Sequence, residues 1–339
     1  MSHATLAASA LGLSRNEAGM RFPHVEDASA LEELRLQIGD ALQGSLWEHR
    51  WCLHDLDELS AVETAYLVEQ GLMTPSFAGG SGAGRGFAVY GEGQASLEIN
   101  GVDHVRLLGF RSGEGLDALW SLLNQLDDRL ETTVSYAFDA RWGYLTSHPG
   151  RAGSGMRAYA TLQVPALMLT GRLAGTALEL INQGLALAPL WGGAGGVIQV
   201  SNLMRQGRPE SETIQQIEEI SNGIVEKERS VRKMVLRENP VQARDHIGRA
   251  LGVAQHAWTI SFPEAVNVVS AAQVGLELGV ADVPGLAAES AFRLMSRLQP
   301  AHIVMENMDG KTGCLESPEV DQTRALVLRE VFAGAGVRS

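Results

Sequence analysis

The sequence predicts an α+β protein in which antiparallel strands are flanked by helices and followed by a helical C-terminal part. Three observations carry this. Three short extended segments, 86–90, 95–100 and 104–109, are separated by turn-like glycines, as antiparallel neighbours are. Directly after them Leu116, Leu119, Trp120, Leu123, Leu126 and Leu130 recur at helical spacing. Beyond Asn239-Pro240 the pattern is helical throughout, and that pair is the strongest boundary signal in the chain. The expected domains are residues 1–238 and 239–339, which suits 339 residues at a prior of roughly 150 per domain.

Taken in order, Leu31, Leu34, Ile38 and Ala41 mark a first helix over 31–43. Ser60-Ala61-Val62-Glu63 is a capping-box start for a second, which stops at Gly71. The glycines of 79–86 read as a mobile loop, since they fail the dinucleotide-binding spacing. A strand is expected around Tyr159–Val164, then one apolar helix over about 167–182. The glycine-rich 191–196 leads into an extended 197–202. Ile214, Ile217, Ile220, Ile224 and Val231 mark a long helix ending before Asn239.

Charge and composition narrow the function. Twenty-seven basic against 40 acidic side chains leave a net −13, which disfavours nucleic acid and anionic membranes as partners. No run approaches 18 apolar residues, and MSHATLAASALGL lacks a basic leader, so a cytoplasmic protein without a spanning helix or signal peptide is expected. Cys52 and Cys314 fit neither a disulfide framework nor a zinc site, and no metal site is expected. Asp309-Gly310-Lys311-Thr312-Gly313 ends like a phosphate-binding loop, but Met305 stands where its first glycine belongs, so a surface turn is the better reading.

The segment GYLTSHPGRAGSGMRA, 143–158, packs glycines and two arginines between extended pieces, a pattern that lets amides and guanidinium groups close on an anion. Arg151 and Arg157 are its candidate phosphate clamps, against an alternative as ordinary surface arginines. His148 is a candidate general base, against an alternative as a loop histidine pinned by hydrogen bonds. In Asp103-His104-Val105-Arg106, His104 and Arg106 share one strand face.

These residues carry a resemblance. GYLTSHPGRAGSGMRA is similar to the signature G-Y-L-T-x-C-P-T-N-x-G-T-G-x-R of ATP:guanidino phosphotransferases, and the chain most resembles their bacterial protein-arginine-kinase branch. Leu13–Pro23 resembles the end of S-S-R-I-R-L-A-R-N-L-A-G-Y-R-F-P, Ile99–Arg106 resembles I-N-E-E-D-H-I-R, Ile198–Asn202 resembles I-F-Q-I-S-N, and Glu226–Ser230 resembles E-x-E-R-x. The resemblance implies a guanidino-kinase sheet flanked by helices, ATP with magnesium as cofactor where activity or binding is kept, and Arg106 and Arg157 as phosphate-facing cations, with Arg151, at the family's asparagine, a further candidate from the loop itself. It also implies a dimerising helical domain with a phosphoarginine motif R-D-x-x-R-A, matched by Val320-Asp321-Gln322-Thr323-Arg324-Ala325 with Asp321 and Arg324 retained.

The departures set the functional expectation. Ala10 and Gly12 stand at two phosphate arginines, Gly101-Val102 at the acidic pair that orients and deprotonates the guanidinium, and His148 at the reactive cysteine. Gly71 stands at a histidine of the nucleotide site, and the shortened 190–196 replaces a loop that carries another arginine and a substrate glutamate. Moving a phosphoryl group needs converging positive charge and an acceptor-facing acid. The expectation is a catalytically silent relative with no resident cofactor, pairing with itself, with an active kinase paralogue or with protein quality-control partners. The alternatives are an active enzyme with a rebuilt site using His148, Arg151, Arg157 and Arg106, in which Arg85 and Arg111 could also fill the gap, and an anion sensor.

Overall fold

The computed structural model describes residues 6–44, 50–113, 115–149, 152–203, 209–288, 290–308, 310 and 314–338. Arg151, Lys311 and Thr312 lie outside the described residues. The chain forms two compact units, Ser9–Tyr159 with Ser201–Glu218, and Met1–Ala8 with Ala160–Val200 and Glu219–Ser339.

The first unit is rich in strands, in the order Trp51–His54, Gly86–Tyr90, Ala95–Ile99, Val105–Ser112, Leu6–Arg15 and Met156–Gln163, the last two contributing the parts that fall in this unit. The three glycine-separated segments are antiparallel as expected, with Gly86 opposite Ile99 and Glu98 opposite Arg106. Leu116–Leu130 forms the amphipathic helix, burying Leu116, Leu119, Leu123, Leu126 and Leu130. The helix Ala28–Gln43 buries Leu31, Leu34, Ile38 and Leu42, three residues longer at its start than the leucine spacing marked.

Ser60 and Glu63 form the full capping box of Ala61–Glu69, and the chain turns through Gly71 at φ 73°. Within residues 79–86, expected as a mobile loop, Gly84 is closely packed. Gly84 has φ 62°, and a Cβ there would meet the Leu31 carbonyl carbon at 2.5 Å, so the backbone is packed tightly onto the first helix. Its carbonyl accepts from Asn100 Nδ2 at 2.6 Å. Gly84 therefore permits a close approach that a Cβ would block.

In the second unit the strand order is Met156–Gln163, Val197–Asn202, Leu185–Pro189, again counting the parts that belong to it. The single apolar helix expected over 167–182 is two helices, Pro165–Leu169 and Leu173–Asn182, parted at Gly171, whose φ of 68° no helix accommodates. The helix Glu210–Glu238 runs to Asn239, and Pro240 opens Pro240–His256 from its first position. No helix of the described residues is long and apolar enough to cross a membrane.

Candidate functional site

Alternation along Val105–Ser112 puts Arg106 on the face that carries Glu98 in the neighbouring strand. Arg106 is half-buried, and its Nε is enclosed without a hydrogen-bond partner. On Leu6–Arg15, a Cβ at Gly12 would lie 3.6 Å from Arg106 Nε and 3.2 Å from Leu108 Cδ2. Gly12, and by strand alternation Ala10, therefore face the Arg106 side as the family pattern implies, and bring no charge to it.

Arg157 opens Met156–Gln163. It donates to Ser201 Oγ at 3.3 Å, sits 5.4 Å from the Tyr159 ring centre, and keeps an enclosed Nε without a partner. Asn202 holds the strand start in place, accepting from the Ala158 amide at 2.9 Å and donating to the Met156 carbonyl at 3.0 Å. The polar end of Val197–Asn202 thus positions Arg157.

His148 is exposed and lines a cavity of about 390 Å³ together with His24, Ser76, Phe77, Gly80, Ser81, Arg85, Asn100, Gly101, Val102 and Ser147. The loop behind it is pinned. Thr146 Oγ1 donates to the His148 carbonyl at 2.9 Å, and buried Asp103 accepts from the Ser147 amide at 2.7 Å and from Asn16 Nδ2 at 2.8 Å. No Asp or Glu lines this cavity among the described residues. At the acidic pair's place, a Cβ on Gly101 would come 2.9 Å from Phe77 Cδ2, while Val102 is 45% exposed.

Arg85 adds a cation to the same cavity. It stacks on Phe77 with Cζ 4.2 Å from the ring centre, and donates to the Gly80 carbonyl at 2.7 Å and to the Phe77 carbonyl. Burial lowers its guanidinium's affinity for its proton. Arg111 donates to the Phe110 carbonyl at 3.5 Å. The strand-rich residue that the sequence reading missed is Glu98, 2% exposed, whose carboxyl accepts from the Thr74 amide at 2.6 Å. Burial raises its pKa, against opposing pulls from Arg106, Thr74 and Arg85.

His104 is fully buried. Its Nδ1 accepts from the Glu17 amide at 3.2 Å, and burial holds its pKa below the ordinary histidine value. The unfolded chain takes up this proton near pH ~6.5 and the folded chain resists it. The His104 contribution to stability is therefore complete above that pH, begins to be lost as pH falls below it, and goes on being lost down to the lower folded-state pKa. Urea unfolding of the wild type and His104→Gln at pH 7.5 and 5.5 should show a smaller acid-side loss in the variant. Equal losses would refute the assignment.

In the helical unit Arg324 is 1% exposed. Its Nε donates to the Leu298 carbonyl at 2.7 Å, one Nη donates to the Ile260 carbonyl at 2.9 Å, and Asp321 bonds to it directly. These bonds engage the Arg324 side chain that the resemblance places with Asp321 in a phosphoarginine motif, and Val320, at the motif's first arginine, is fully buried in the core. The shortened 190–196 is likewise pinned. Trp191 stacks on Phe292 with ring centres 5.4 Å apart, donates from Nε1 to Gln299 at 3.1 Å, and Ser270 Oγ donates to the Gly195 carbonyl at 2.6 Å.

ATP with magnesium is poorly served by these residues. Arg106 and Arg157 offer unpartnered nitrogen atoms, but positions 10 and 12 add no cation and the His148 cavity adds no acid. No group of three or more His, Cys, Asp or Glu able to hold a metal occurs among the described residues.

A model of the ATP:guanido phosphotransferase C-terminal catalytic domain matches residues 35–231, and one of the protein-arginine kinase McsB C-terminal domain matches 240–338. The chain is 32% identical over 329 residues to the protein-arginine kinase of Halothermothrix orenii, covering 95% of this chain and 91% of that one. It is 33% identical over 334 residues to that of Moorella thermoacetica, covering 96% and 93%. Among solved structures, lombricine kinase superposes with a TM-score of 0.59 at 18% identity, over 68% of each chain. The substrate-free duplicated taurocyamine kinase of Schistosoma mansoni gives 0.57 at 22%, over 66% of this chain and 32% of that one. These two likenesses show the guanidino-kinase fold.

Proposed function

The chain belongs to the ATP:guanido phosphotransferase family, and from that premise we propose that it is a catalytically silent member of the protein-arginine-kinase branch, acting by binding in the cytoplasm. The observation that carries this reading is the lining of the His148 cavity, which holds Arg85, His24 and His148 and no carboxylate among the described residues. An arginine side chain keeps its charge at any physiological pH, so an acceptor guanidinium needs a facing acid to hold it and take its proton. Here it meets the Arg85 guanidinium and two imidazole rings instead.

The donor side is short as well. Losing one group that stabilises a transition-state charge costs about 3 kcal/mol, a hundredfold or more in rate. Two cations and the acid are absent together at Ala10, Gly12, Gly101 and Val102. Their effects are coupled and do not simply sum, yet each alone is severe. No catalytic step is assigned to ATP here, because the residues do not fit one.

The competing reading is an active enzyme with a rebuilt site around His148, Arg106 and Arg157, favoured by the relatives' name and by the two free Nε atoms. Incubation with ATP, magnesium and an arginine-rich protein, followed by assay of acid-labile phosphate, decides between them. We expect no product above a protein-free control. Turnover that disappears in Arg157→Ala would establish the competing reading. Binding as the function further implies a protein partner, either a second copy, an active kinase paralogue or a component of the quality-control machinery. Light scattering of the pure chain tests the first of these.

A further inference from the structure

Glu98 sits in the middle of Ala95–Ile99, where every residue is buried. A strand enclosed on both faces is served by apolar side chains, and an ionisable one there needs a compensating partner. The residues on its own face have local tasks. Ser96 Oγ donates to the Leu72 carbonyl, and Asn100 Nδ2 donates to the Leu31 carbonyl at 2.8 Å. Glu98 is held by the Thr74 amide and the Thr74 side chain, and the charges acting on it are guanidinium groups. Arg106 is its directly opposed residue in the antiparallel ladder, and Arg85 acts on the same carboxylate from the packed glycine segment.

Arg106 has the complementary need. Its Nε is enclosed and unpartnered, and the charge facing it across the ladder is Glu98. We infer that Glu98 is the resident counter-ion of Arg106, a specificity-determining carboxylate that makes the pair neutral and turns away polyanions such as nucleotide di- and triphosphates. A phosphate chain approaching Arg106 would meet the Glu98 carboxyl group on the adjacent strand, in surroundings where little water screens it. The same array carries Gly12 rather than a further cation on Leu6–Arg15 beside Arg106, so removing the carboxylate leaves Arg106 uncompensated. This inference rests on the silent reading above and supplies a cause for it that a count of missing residues does not.

The test uses the full chain and inorganic tripolyphosphate, followed by ATP with and without magnesium, in titration calorimetry. Glu98→Gln keeps an oxygen for the Thr74 amide and removes the charge, and should tighten tripolyphosphate binding by about tenfold or more over wild type. Glu98→Gln/Arg106→Gln should return to the wild-type value, assigning the gain to Arg106. Should the amide variant fold poorly, Glu98→Met fills the same apolar slot and must show the same gain. Equal affinity in wild type and both single variants, or a gain that survives loss of Arg106, overturns the counter-ion. A wild type that is silent in the transfer assay while the variants gain nothing sinks this inference alone. A wild type that transfers phosphate sinks the silent reading, and the tripolyphosphate comparison still decides the role of Glu98.

Discussion

Arg232→Met is expected to destabilise the chain by about 3–5 kcal/mol in urea unfolding, the cost of stranding a buried ionic partner. Arg232 and Glu228 have 2% and 0% of their side chains exposed. The guanidinium donates to Glu228 Oε1 at 2.6 Å, to the Gln163 carbonyl at 3.1 Å, and pairs with Glu277. Glu228 in turn accepts from the Ala166 and Leu167 amides at 3.0 and 2.8 Å, fixing the start of Pro165–Leu169. Removing the arginine leaves Glu228 charged in the interior with only those amides to answer it. The double variant Arg232→Met/Glu228→Gln should recover part of the loss, because contacting residues are not additive. A loss below about 1 kcal/mol in the single variant would show that water reaches the network.

Arg15→Met is expected to cost a comparable amount, about 3–5 kcal/mol, and to loosen the loop that carries His148. Arg15 binds Asp127 through Nε at 3.1 Å and Nη2 at 2.6 Å, donates to the Ser14 and Ser154 carbonyls, and lies 3.7 Å over the Tyr144 ring. Tyr136 completes the group by donating to Asp127 Oδ1 at 2.9 Å, and burial raises its phenol's pKa. Arg15→Lys should rescue little, since an ammonium cannot hold the carboxylate two ways and reach two carbonyls. Limited proteolysis should cut Arg15→Met faster within 143–154 than wild type. Lysine as stable as arginine, with unchanged cleavage, would refute this account.

Sequence alone made visible those elements whose signal is local. Leu116–Leu130 and the Ser60–Glu63 capping box rest on spacing within a few turns, and both are present as expected. Leu6–Arg15 carried no strand signal in its own composition, being alanine, serine, glycine and leucine up to its closing arginine. It is a strand because neighbours on both sides pair with it. The same limit hid Glu98. One charge in a five-residue alternating segment reads as a solvent-facing position, and only the ladder reveals that its face is covered and that Arg106 stands opposite. The interior placement of Arg324 was equally hidden, since spacing shows a motif position and not its burial. Arg106 and Arg157 were legible as positions, and their unpartnered nitrogen atoms required coordinates.

The close packing of Phe77 against Gly101 fixes what position 101 can carry. With 2.9 Å between the ring and the place of a new Cβ, any larger side chain at 101 would have to displace an aromatic group that also stacks under Arg85. A substitution there reaches Arg85 through the ring, without touching the guanidinium itself.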